Sequence, residues 1–98
     1  MCEKKVICDA LRTFGIESQV VVAIEEMSEL QKELCKMLRS KTNVDHIAEE
    51  IADVEIMLAQ MVEAFGISLT VDAWKEYKLH RLESRLDCVM DGERKDNE

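Results

Sequence analysis

Val20-Val21-Val22-Ala23-Ile24-Glu25-Glu26-Met27-Ser28-Glu29-Leu30 is the stretch that decides how this chain folds. Continued to residue 38, its apolar seam is Val20, Ala23, Ile24, Met27, Leu30, Leu34 and Leu38, at steps of one to four that keep to one helical face. The helix it predicts runs from about Ser18, a plausible cap, to about Arg39. The same period extends in both directions. Val6, Ile7, Ala10, Leu11 and Phe14 make one face of a helix over about 3–14, stopped by Gly15 as a left-handed cap. Thr42 or Asn43 caps a third helix over about 44–65, with the seam Ile47, Ile51, Val54, Leu58, Met61 and Phe65 and with Gly66 ending it. Thr70 caps a fourth over about 71–89, whose apolar positions are Ala73, Trp74, Tyr77, Leu82 and Leu86. The chain has no proline and three glycines, which favours long helices over a turn-rich sheet. The expectation is an all-α, four-helix bundle.

Ninety-eight residues make one small domain, expected over 1–90, followed by a charged, fraying tail over 91–98. So little chain makes a homodimer or homotetramer the default. The net charge of −8, with no basic stripe to offset it, argues against a nucleic acid polymer as partner. The longest apolar run, Val20 to Ile24, is too short to span a membrane, and the start of the chain lacks a signal-peptide pattern. Cys2, Cys8, Cys35 and Cys88 are too scattered for a zinc site or a disulfide framework, so free thiols in a reducing cytoplasm are expected. Cys35 and Cys88 are expected to be buried as small hydrophobes.

The acids are not scattered. With about 100° per residue and Met27 set at zero, Leu30, Leu34 and Ala23 define the apolar side of the second helix. Glu26 then lies about 100° to one side and Glu29 about 160° on that same side, with Glu33 between them. In the third helix, Glu50 lies about 60° and Asp53 about 120° from Ile47, with His46 and Met57 between. Glu25 and Glu49 point outward. If the two helices pair antiparallel across their short connection, Glu26, Glu29, Glu50 and Asp53 converge. Two carboxylates at about 4 Å repel by roughly 4 kcal/mol at an effective dielectric of about 20. Four together call for protons, basic partners or divalent cations, and all-oxygen ligation suits Mg²⁺, with Mn²⁺ as a substitute.

Glu25-Glu26-x-x-Glu29, then twenty residues, then Glu50-x-x-Asp53, set in Ala23–Leu30 and Ala48–Val54, resembles the signature of the MazG-like all-α nucleoside triphosphate pyrophosphohydrolases. The resemblance spans about residues 15–85. It implies a MazG-like bundle, assembling as a homo-oligomer, that hydrolyses a nucleoside or deoxynucleoside triphosphate at the α–β phosphoanhydride to a monophosphate and pyrophosphate. It gives Glu26, Glu29, Glu50 and Asp53 to Mg²⁺, and Glu25 to orienting water. The acid that accepts the water's proton stays open between the catalytic candidates Glu25 and Glu26 and the rest of the cluster. Lys78 and Arg81, with Arg85 on the same face, resemble the family's phosphate-binding segment. No residue is assigned to the base; Trp74 suits either a stacking role or a core position.

Two other readings compete. A di-iron carboxylate bundle wants Glu-x-x-His pairs, and no histidine here follows a glutamate at that spacing. A non-catalytic helical interaction or regulatory module would carry the same acids as solvated faces, with Glu25, Glu33, Glu49, Glu55 and Glu63 paired to lysines or to water.

Overall fold

The computed structural model describes residues 1–41 and 43–97, with side chains as far as 92. Among the described residues it is all helical: α1 Glu3–Phe14, α2 Ile16–Leu38, α3 Val44–Phe65 and α4 Ser68–Asn97. The chain divides into two compact units, Met1–Gly66 with α1 to α3, and Ile67–Glu98 with α4.

The junctions show why the helices end where they do. Gly15 takes φ 87° and ψ 151°, an extended positive-φ conformation open to glycine rather than the left-handed helical cap expected. Its N–H donates to the Leu11 carbonyl and its own carbonyl accepts from the Gln19 N–H, so one residue closes α1 and opens α2. Ser18 therefore lies inside the helix it was expected to cap. At the end of α2, the Ser40 N–H donates to Met37 and the Lys41 N–H to Lys36, the double bond of a Schellman turn. Ser40 takes the left-handed φ of 62° that glycine usually supplies there.

Asn43 caps α3 as expected, its side chain accepting from the N–H groups of Asp45 and His46, worth about 1 kcal/mol. Thr42, the other expected cap, lies outside the described residues. Gly66 ends α3 in the left-handed conformation. The fourth helix starts earlier and ends later than the 71–89 expected. Val71 N–H already donates to the Ile67 carbonyl, leaving Thr70 inside the helix. Beyond residue 89 there is no proline, and the one glycine, Gly92, costs about 1 kcal/mol relative to alanine without breaking the helix.

In the first unit α2 packs on α3, and α1 packs against both. The buried side chains are Ile7, Gln19, Ala23, Val54, Met57 and Gln60. This corrects the expected seams. Ala23 and Val54 are buried, and Leu30 and Ile47 half-buried, but Met27, Leu34, Ile51, Leu58 and Phe65 are exposed. The apolar arc on each helix is wider than one neighbour covers, and the helices meet along the edge of that arc nearest the acids. Cys35 and Cys88 are exposed as well, so neither is the small buried hydrophobe expected. Cys8 is half-buried; burial pushes its thiol up, and so does the nearby Glu63 carboxylate.

Candidate metal centre

The α2–α3 pairing brings Glu26 from one helix against Glu50 and Asp53 from the other. One carboxylate oxygen from each lies within 4.8 Å of the other two. Glu50 and Asp53 share a side of α3 because three residues nearly complete a turn. Glu26 reaches them because α2 and α3 pair antiparallel across the short connection between Leu38 and Val44. All three are half-buried.

The electrostatics follow from that geometry. Glu26 is held above the ordinary carboxyl value, first by burial, then by the charges of Asp53 and Glu50, and also by a hydrogen bond with Asp53. Glu50 is raised too, first by burial and then by Asp53, Glu29, Glu49 and Glu33. Its Oε2 is buried without a hydrogen-bond partner.

A buried carboxylate oxygen left without a donor is costly, and a divalent cation is a group that would satisfy it. Three hard oxygen donors in a span of 4.8 Å match one coordination sphere, since opposed ligands of Mg²⁺ or Ca²⁺ are roughly 4–5 Å apart. The donors fit a divalent cation of that class without selecting Mg²⁺ among them.

Of the other site candidates, Glu29 is exposed and outside the trio, though its charge still raises both Glu26 and Glu50. Glu25 and Glu49 are exposed, as their angles required. Glu33 departs from the solvated face expected. Its side chain is only 12% exposed, it pairs with Lys36 at 3.1 Å, and its charge reaches Glu50. His46 is exposed at the start of α3, its N–H held by Asn43.

Described by itself, α4 carries Lys78, Arg81 and Arg85 exposed on one face. Neither Lys78 nor Arg81 makes an ion pair with a described carboxylate. Arg81 stands 5.9 Å from the centre of the Tyr77 ring, and Trp74 meets that ring edge-on at 6.0 Å. Trp74 is 58% exposed. Missing from the expectations are Gln19 and Gln60, which are buried and joined by a hydrogen bond of 2.7 Å between α2 and α3. Nothing local in the sequence marks them, since each is satisfied only by a partner 41 residues away.

The raised carboxyl values carry a consequence for stability. A folded-state pKa above the unfolded value means that the folded chain keeps a proton the unfolded chain has released. That contribution is complete below the unfolded value of about 4.5 and is lost as pH rises through the raised values. In EDTA, the protein is therefore expected to melt at a higher temperature near pH about 5.5 than near pH about 8, and saturating Mg²⁺ should shrink the difference. Calorimetric scans across that range check it; a slope of the opposite sign would refute the electrostatic account.

Among the described residues no helix is long and apolar enough to cross a membrane. Compared with protein-family models, with curated proteins and with solved structures, the chain matches none.

Proposed function

We propose that this chain is a divalent-cation-dependent hydrolase of nucleoside or deoxynucleoside triphosphates, cleaving the α–β phosphoanhydride to a monophosphate and pyrophosphate. The convergence of Glu26, Glu50 and Asp53, with an oxygen of Glu50 buried and unpartnered, is the observation that carries the reading. The motif resemblance supplies the substrate class.

Glu26, Glu50 and Asp53 would hold the cation, Mg²⁺ or Mn²⁺, with Glu29 beside them. When bound, it supplies the positive charge that offsets the carboxylates, draws in phosphate oxygens and eases removal of a proton from water. The chain's own residues do the rest. Glu25, exposed one residue before Glu26, is the side chain assigned to orienting water. Lys78 and Arg81, cationic and without carboxylate partners among the described residues, are assigned to the phosphates. Net repulsion between a chain of charge −8 and a triphosphate makes both the cation and those two side chains necessary. A reducing cytoplasm is the compartment that suits four free thiols and a nucleotide substrate.

A second copy completes the proposal. Val44, Ile51, Leu58 and Phe65 recur every seven residues along α3, exposed by 41–73%, and Ile24, Met27 and Leu34 form a matching exposed stripe on α2. Heptad-spaced apolar residues left in water are what a helical neighbour covers. The same stripe favours the interaction-module reading, so one assay must separate the two. Incubation with the common nucleoside and deoxynucleoside triphosphates and Mg²⁺, with pyrophosphate and phosphate detected separately, is expected to show pyrophosphate release that EDTA abolishes. Equal rates in Mg²⁺ and EDTA, or no release from any substrate, would leave the interaction module as the better reading.

A further inference from the structure

We propose that the buried Gln19–Gln60 pair is a positioning clasp, setting the register of α2 against α3 so that Glu26, Glu50 and Asp53 meet around one cation. This rests on the metal reading above and adds to it two residues that touch neither metal nor substrate.

Six described side chains are buried, and two of them are these glutamines. Gln19 Nε2 donates to Gln60 Oε1 at 2.7 Å, across 41 residues of chain. Gln19 precedes Glu26 by seven residues on α2, and Gln60 follows Asp53 by seven on α3. Because the helices are antiparallel, both offsets run in the same direction in space, about 10.5 Å along the shared interface. The clasp and the acid cluster are therefore two rungs of one helix pairing.

The apolar rungs between and around them do not choose a register well. Ala23 and Leu30 on α2, and Ile47, Val54 and Met61 on α3, recur at steps of seven, so a shift by two turns still sets apolar against apolar. The acids oppose the observed register, since it brings three carboxylates together. A hydrogen bond is directional and short-ranged. Moving α3 by two turns carries Gln60 about 10.5 Å off Gln19, beyond reach, and leaves two carboxamides buried without partners. An apolar pair of equal shape would pack at least as well, so what the glutamines add is the choice of one register, the role best attested for polar residues in helical seams.

The test replaces both glutamines by methionine, which keeps length and shape and removes only the hydrogen bond. In Gln19→Met/Gln60→Met, the melting temperature without metal is expected to equal or exceed that of the unaltered chain, while the dissociation constant for Mn²⁺ rises at least about tenfold, as for residues that orient metal ligands. A loss of affinity with no loss of stability is something a merely structural pair would not produce. Equal Mn²⁺ affinity in variant and unaltered chain would overturn the clasp and leave the metal reading standing. No Mn²⁺ binding by the unaltered chain would overturn both.

A second measurement needs no variant. Clasp and metal favour the same register, so by linkage each strengthens the other. Saturating Mg²⁺ is expected to slow solvent exchange of the Gln19 carboxamide protons, followed by nuclear magnetic resonance, at least about threefold. Exchange at the rate of an exposed glutamine, or no response to Mg²⁺, would overturn the proposal.

Discussion

Glu50→Gln is expected to lower pyrophosphate release by at least about a hundredfold while raising the melting temperature of the metal-free protein. The two effects have one cause. Glu50 lies among Asp53, Glu29, Glu49 and Glu33, and burial together with those charges already disfavours its ionised form. A neutral carboxamide of the same shape removes that repulsion and gives the buried Oε2 position an amide dipole in place of half a charge. The same change deletes one of three converging anionic ligands. Loss of a residue that merely orients a metal ligand costs about 10–100-fold in affinity or activity, and loss of the ligand itself should cost no less. Stability and activity thus move in opposite directions. If the acids were only a solvated face, neither would move, and that paired null is the outcome to look for with calorimetry and a pyrophosphate assay on one preparation.

Leu58→Asp is expected to have the second large effect, on assembly. Leu58 is 48% exposed in the single chain, at the middle of the Val44, Ile51, Leu58, Phe65 stripe. Covering a leucine fully is worth about 1.5–3 kcal/mol, and an aspartate in its place adds the cost of desolvating a charge, several kcal/mol. Each copy would bear that loss. Light scattering should give the unaltered protein at least twice the 11.3 kDa of one chain, and the variant a dissociation constant raised at least about a hundredfold. With so few side chains buried in the first unit, the separated chain is also expected to melt early. An unaltered protein that is monomeric at high concentration and stable as such would remove the second copy from the account.

Helix count and type were legible in the sequence because periodicity and two glycine stops speak locally. Three of the four acids expected to converge were legible because angle around a helix depends only on residue spacing, and that separated Glu26, Glu50 and Asp53 from Glu25 and Glu49; the fourth, Glu29, lies exposed outside the cluster. What was not legible depended on which part of a wide apolar arc a neighbour would cover. Met27, Leu34, Ile51 and Leu58 are as apolar as Ala23 and Val54, and nothing in their identity says that the first four stay exposed in one chain. Gln19 and Gln60 were overlooked for a related reason. A glutamine reads as surface until a partner 41 residues away satisfies it. Ser40 in a left-handed turn and Gly15 in an extended one show the same limit for backbone conformation, where two hydrogen-bonded junctions rather than residue preference decided the geometry.

The central claim is that Glu26, Glu50 and Asp53 form a cation site, and Mn²⁺ titration of the metal-free protein, followed by the electron paramagnetic resonance of free Mn²⁺, tests it most directly. The expected result is saturable binding below about millimolar Mn²⁺ that Mg²⁺ competes away and that Glu50→Gln loses. Unaltered binding by Glu50→Gln, or none by the parent chain, would contradict it.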